Sequence, residues 1–212
     1  MIVVRRFIVN PLQENSYLLS DETGECIIVD AGFYYPEEFT ALSDHLLAQG
    51  LRPVALVNTH CHFDHVMGVE RLRREQEIPF LCHEEDAFWL SRVGHQAATF
   101  GFRVGEVLPA DRYLKEGEPF GFGHSVLEVI HVPGHSPGHV TLYAREEGFL
   151  LAGDVLFRRS IGRTDLPGGD YDQLITAIRG KLLTLPEETT VWPGHGPETT
   201  IGAEKAENPF LV

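Results

Sequence analysis

The chain has 212 residues, with 17 lysines and arginines against 31 aspartates and glutamates, and three cysteines. A formal charge of -14 excludes an electrostatic partnership with nucleic acid or an anionic membrane, because both require a basic surface. Cys26, Cys61 and Cys82 are odd in number and not spaced as pairs, which argues against a disulfide framework and for a reducing cytoplasm.

This length predicts a single domain over 1–212, large enough to bury a core without disulfides. Arg5 and Arg6 interrupt the amino-terminal apolar stretch, so no signal-peptide core forms, and no run reaches membrane-spanning length. Residues 2–9, 16–19 and 25–29 read as strands, the last two joined by a turn at 21–24. Asp30 follows the third strand, where a buried carboxylate can brace a neighbouring loop or simply make a turn. The next pattern predicts a helix over 36–49, with Phe39, Leu42, Leu46 and Leu47 inward and Gly50 as its stop.

Val54-Ala55-Leu56-Val57 reads as a buried strand that delivers His60-Cys61-His62-Phe63-Asp64-His65. In an extended segment His60 and His62 project to one side, and Cys61 faces away. Asp64 and His65 open a helical pattern running to about 77 and point to a neighbouring spot. Imidazole nitrogen and carboxylate oxygen suit zinc, iron or manganese, so one short loop can feed two adjacent cations. Arg71, Arg73 and Arg74 read as the solvated face of that helix, and 80–82 as another short strand.

Residues 83–122 carry little period. His83 and His95 read there as ordinary surface or hydrogen-bonded histidines; Phe88, Trp89, Phe100 and Phe102 read as packing, or as a lid over a metal site. Alternation returns at 126–132, a strand that delivers Pro133-Gly134-His135-Ser136-Pro137-Gly138-His139. Glycine and proline on both sides fix an unusual turn around His135, which supports a ligand role; His139 can orient a ligand or make a structural hydrogen bond. A hairpin over 140–152 ends at Gly153-Asp154, where a metal-bridging carboxylate would sit. A helix over 171–184 and a strand over 190–192 lead to Pro193-Gly194-His195-Gly196-Pro197. Every candidate ligand follows a strand, which would gather them on one edge of a layered sheet structure.

The run His-x-His-x-Asp-His, followed by an isolated histidine, an aspartate and a last histidine, resembles the metallo-β-lactamase superfamily. The turns at 133–139, 153–154 and 193–196 resemble its glyoxalase II branch of hydroxyacylglutathione hydrolases, in its short bacterial form. The resemblance implies an α+β, four-layer αββα sandwich with a binuclear metal site on one edge. It implies that His60, His62 and His135 hold one divalent ion, that Asp64, His65 and His195 hold a second, and that Asp154 bridges them. Zinc comes first among the candidates, with iron and manganese as alternatives.

The implied activity is hydrolysis of a small thioester, foremost an S-(2-hydroxyacyl)glutathione, in the cytoplasm. A metal-bridging hydroxide would attack the carbonyl, with Asp64 and Asp154 as catalytic residues and Asp30 and His139 behind the ligands. Asp154 sets the chain apart from true β-lactamases, which usually lack it. The chain stops without the helical extension by which full-length glyoxalase II grips glutathione, so a carboxylate would turn to Arg158, Arg159 or Arg163, and Arg163 is the substrate-binding candidate. Ile161-Gly162-Arg163-Thr164-Asp165 also resembles iron-dependent persulfide dioxygenases, with one iron on His60, His135 and Asp154. Hydrolysis of another small ester or lactone is a further alternative. A purely structural metal role is disfavoured, because structural sites are closed and thiolate-rich.

Overall fold

Strand β1 (Val3–Val9) pairs antiparallel with β2 (Glu14–Ser20), and β2 with β3 (Glu25–Val29). A computed structural model describes all residues, 1–212. Helix α1 (Pro36–Gln49) carries the chain back so that β4 (Arg52–Val57) lies parallel to β3. Helices α2 (Phe63–Val66) and α3 (Val69–Gln76) cross to the parallel β5 (Phe80–His83). Helices α4 (Ala87–Leu90) and α5 (Val93–Thr99) then cross to β6 (Arg112–Leu114), which completes a six-stranded sheet in sequence order.

The second sheet runs β14-β13-β10-β9-β8-β7. It is built from β7 (Phe120–Phe122), β8 (Ser125–His131), β9 (Val140–Ala144), β10 (Phe149–Gly153), β13 (Thr190–Pro193) and β14 (Thr199–Thr200). Between its strands lie a small hairpin, β11 (Leu156–Phe157) and β12 (Ser160–Ile161), and α6 (Tyr171–Ala177); α7 (Ile201–Glu207) follows β14.

Side-chain alternation along the strands decides the layering. Leu18, Ile28 and Leu56 face one core with Phe39, Leu42 and Leu72 of the flanking helices. Their neighbours Leu19, Ile27 and Val57 face a second core, where they meet Leu127, Leu142 and Leu151 of the other sheet. A third core joins Tyr143, Leu150 and Val191 to Leu174 and Ile178 beneath α6. Three stacked cores make four layers, the αββα sandwich that the resemblance implied.

Several boundaries differ from expectation for local reasons. Leu47 is 83 % exposed; one step past Leu46 swings the side chain about 100° around the helix, off the inward stripe. The helix expected over 65–77 is broken at Gly68, which donates to Ala31 O at 2.8 Å and sits where a Cβ would crowd Phe33. The helix over 171–184 ends its α-helical part at Ala177 and widens into a π turn at Ile178–Leu182. The illegible stretch 83–122 folds into the short helices α4 and α5 and the short strands β6 and β7, each too brief to print a period on the sequence. No helix is long and apolar enough to cross a membrane.

Candidate metal centre

The ends of β4, β8, β10 and β13 meet along one edge of the sandwich. There, His62 Nδ1 lies 2.9 Å from His135 Nε2, which lies 3.3 Å from His60 Nε2. A tetrahedron built on metal–nitrogen bonds of about 2.0–2.1 Å has edges of about 3.3 Å, so this spacing fits one divalent ion. Beside it, His195 Nε2 lies 3.2 Å from Asp64 Oδ2, and His65 Nε2 lies 3.8 Å from the same oxygen. Asp154 stands between the two groups: Oδ1 is 3.5 Å from His65 Nε2, and Oδ2 is 3.7 Å from His195 Nε2 and 3.9 Å from His135 Nε2. All seven candidate ligands thus converge, and buried polar atoms among them (His62 Nε2, His65 Nε2 and Asp154 Oδ1) have no hydrogen-bond partner.

What lies behind each ring sets its tautomer. A carbonyl can only accept, so His135 donates from Nδ1 to Arg163 O at 2.8 Å and turns a bare Nε2 inward. His195 does the same through Nδ1 to Leu12 O at 3.1 Å. The Thr59 hydroxyl donates to Asp30 Oδ2, so His60 donates from Nδ1 to Thr59 Oγ1 at 3.1 Å. His65 Nδ1 lies 3.3 Å from Asp30 Oδ2. Asp30 therefore supports two of the rings, and it also accepts from Thr59 N at 2.7 Å while held at φ 53°, a left-handed conformation costly for a residue with a side chain. His139 accepts the Asp154 amide N–H through Nε2 at 3.0 Å and stacks on His60, so it positions the central carboxylate.

Electrostatics divide the site in two. Burial, helped by neighbouring rings, holds His60 and His139 well below the usual imidazole range and pulls His62 down to about 3; His135 is lowered too. These rings are neutral, the form that can donate a lone pair. Burial also opposes charge on His65 and His195, yet Asp154 and Asp64 lift both above the ordinary value. Conversely, His65 holds Asp64 and Asp154 in the carboxylate form against burial. One half is a set of neutral rings with free lone pairs, and the other pairs two carboxylates with two rings whose protons a cation would displace, an environment suited to cations.

Two glycines let the loops approach. Gly134 has φ +126° and packs on the Leu174 backbone, and a Cβ on Gly194 would occupy the place of Asp154 Oδ1.

Sequence reasoning missed three residues. Asp86 is fully buried and accepts from Cys61 N at 2.8 Å, Ser136 Oγ at 2.9 Å and Gly138 N at 2.7 Å, which ties the loop after β4 to the loop after β8. Glu14 is fully buried beside His65 Nδ1 at 3.7 Å, and burial raises its carboxyl well above the usual range. Gln96 accepts from Phe63 N at 2.9 Å. The available signal was slight: for Asp86, an acid immediately before the apolar run Ala87-Phe88-Trp89-Leu90.

The remaining candidates fall elsewhere. Cys61 is buried in the helix-side core and faces away from the cluster. Arg163 lines the cleft, its guanidinium bound to Asp165 at 2.7 and 2.8 Å. Arg158 and Arg159 line a separate cavity with Glu198 and Glu204 and do not reach the metal edge. His95 is exposed, and His83 stacks on His131 with rings 13° from parallel. His83, His131 and Glu85 form another close trio, but parallel rings do not aim their lone pairs at one point, and His131 Nε2 donates to Pro137 O at 2.7 Å.

The model of the metallo-beta-lactamase superfamily matches residues 9–195. The chain is 40% identical to the probable metallo-hydrolase YqgX of Bacillus subtilis over 98% of this chain and 96% of that protein. It is 37% identical to the hydroxyacylglutathione hydrolase GloC of Haemophilus influenzae over 96% of this chain and 95% of that one. Among solved structures, BLEG-1, a B3 metallo-beta-lactamase, superposes with TM-score 0.91 at 39% identity, covering 99% of this chain and 100% of that one. TTHA1623 in a di-iron-bound form superposes with TM-score 0.88 at 40% identity, covering 98% and 100%.

Proposed function

The chain belongs to the metallo-beta-lactamase superfamily, and from that premise we propose that it is a binuclear metallo-hydrolase that cleaves a small thioester, foremost an S-(2-hydroxyacyl)glutathione. The observation that carries the reading is the placement of Asp154 within 3.5–3.9 Å of histidines from both ligand groups. His60, His62 and His135 would hold one cation, Asp64, His65 and His195 the other, with Asp154 shared. When bound, such ions lower the pKa of water toward neutrality and polarise a carbonyl. Iron stands beside zinc as the resident metal, because a relative of 40% identity binds two irons.

The composition of the cleft supports a thioester. Its volume is about 300 Å³, and outside the ligand set it is walled by Leu12, Phe63, Phe100 and Leu166, with Gln96 and Arg163 as its polar groups. None of these is a ready proton donor for a poor leaving group. A thiolate departs without one, whereas an alkoxide or amine does not. His139 and Asp30 hold Asp154, His60 and His65 in place. The likeness to GloC points the same way.

A second reading has its own observation. Asp154 was expected to set the chain apart from β-lactamases, but 39% identity to a B3 enzyme weakens that argument and keeps β-lactam hydrolysis open. The test is elemental analysis followed by assays of the metal-loaded protein, anaerobically with S-lactoylglutathione and with a chromogenic cephalosporin, and in air with glutathione persulfide. Two metals per chain and free thiol from the first substrate support the proposal. Cephalosporin turnover with an inert thioester would replace it, and activity only with a persulfide and oxygen would make the protein a dioxygenase.

A further inference from the structure

A second cavity of about 360 Å³ adjoins the metal cleft, and the two share Gln96, Phe100 and Leu166 as a waist. The second cavity continues between α5 and the loop around Pro167, and its wall includes Trp89, Arg92 and Thr99.

Three features of this cavity are unaccounted for by the fold. Gln96 is 91 % buried, since its relative exposure is 9 %. Of the two ends of the Gln96 amide only the oxygen can accept, so the bond from Phe63 N fixes Oε1 and leaves Nε2, with two donors, without a protein partner. Trp89 is 4 % exposed, and its indole N–H also lacks a partner. Arg92 lies over the Phe88 ring at 5.2 Å and makes no ion pair, although acidic residues outnumber basic ones 31 to 17. Arg163, on the metal side of the waist, is already neutralised by Asp165.

We propose that this second cavity is the subsite for the leaving half of the substrate, a flexible amide-containing chain that ends in a carboxylate. The Gln96 amide donates to an oxygen of that chain at the waist, and Arg92 pairs with the carboxylate at the far rim. The proposal rests on the thioester reading, which puts the acyl half on the metals and sends the thiol half outward. It also replaces Arg158 and Arg159, which lie in another cavity, with a cation from the stretch that the sequence left unread. The shape agrees: apolar walls with a few placed polar groups are what small-ligand sites present.

The test separates the subsite from the chemistry. Binding of S-hexylglutathione and of its dimethyl ester to the metal-loaded protein is measured by calorimetry, alongside kcat and KM for S-lactoylglutathione and for S-lactoyl-N-acetylcysteamine, which carries no carboxylate. Arg92→Ala is expected to weaken S-hexylglutathione about threefold to fivefold, as an exposed ion pair should, and Arg92→Glu more. Neither substitution should move the dimethyl ester or the truncated thioester, and Arg158→Ala should move nothing. Gln96→Glu keeps the acceptor for Phe63 N but removes both donors; it should raise KM for both thioesters about tenfold with metal content unchanged.

Equal binding of S-hexylglutathione to wild type and to Arg92→Glu would overturn the subsite, as would equal affinity for the acid and its ester. If the wild type binds the acid through Arg92 yet hydrolyses no thioester, the thioester reading falls and the subsite stands.

Discussion

The metal edge and the helical segment over 83–122 border the same cleft, yet one is written in the sequence and the other is not. The edge is made of single residues at strand ends, and each declares its chemistry by its type: histidine or aspartate, framed by glycine and proline. The segment works through shape and through hydrogen bonds to distant backbone groups. Asp86 reaches Cys61 and Gly138, and Gln96 reaches Phe63, across separations of 25, 52 and 33 residues. Chemistry that depends on residue identity can be read locally; a cavity wall cannot.

The sharpest way to break this comparison is at its centre. Asp154→Asn keeps the volume but removes the charge shared by both ligand groups. The loss of electrostatic stabilisation should cost several kcal/mol, or about a thousandfold or more in kcat/KM. Metal content should fall below two per chain by elemental analysis. Full metal occupancy and near-normal turnover would mean that the edge is a scaffold and that function lies in the helical segment.

The next largest effect lies in the segment itself. Asp86→Ala strands two buried N–H groups, on Cys61 and Gly138, at about 1–3 kcal/mol each, so unfolding stability should drop by roughly 2–6 kcal/mol in a denaturant titration. The same protein should bind metal more weakly, by about 10–100-fold, since both ligand loops lose their tie. A stability change under 1 kcal/mol would show that the two regions are independent.

What the sequence made legible follows the same division. The strands after which candidate ligands occur were readable because β-branched runs such as Val54 to Val57 must be buried, and their ends define the edge. Leu47 misled because inward and outward positions on an amphipathic helix differ by one step. Asp86 was hidden in His83-Glu84-Glu85-Asp86, which reads as a solvated acidic turn; Glu84 and Glu85 are indeed exposed, and only Asp86 turns inward. Gln96 carried no signal, because an amide becomes informative only when one end is seen to be occupied.

A pH experiment sharpens the contrast within the edge. His139 is buried neutral, with burial holding its pKa well below the usual value of 6.5. Below that value the unfolded chain takes up a proton on this ring and the folded chain does not, so the ring contributes a stability loss that starts near pH 6.5 and grows as pH falls. His139→Gln removes this loss along with the bond to Asp154 N. In metal-free protein, the stability deficit of His139→Gln relative to wild type should therefore shrink between pH 7 and pH 5, by up to about 1.4 kcal/mol per unit. A deficit that is constant with pH would mean that His139 takes up its proton as readily in the fold as in the unfolded chain.

The smallest expected effect falls on Phe100, where the two regions touch. Its ring stacks on Phe63, centroids 5.0 Å apart, and Phe63 sits between the candidate ligands His62 and Asp64. Phe100 is also 48 % exposed, so its removal opens the waist without emptying a core. A ring that offers a substrate roughly 20–60 Å² of apolar contact contributes about 0.5–1.5 kcal/mol to binding, which converts to roughly twofold to twelvefold in KM. Phe100→Ala should raise KM within that range, leave metal content unchanged and lower unfolding stability by no more than about 0.5–1.5 kcal/mol, the worth of its pairing with Phe63. Loss of metal on this substitution would show that the aromatic wall supports the ligand loop mechanically, and the boundary between identity-driven and shape-driven regions would then run through Phe63, not Phe100.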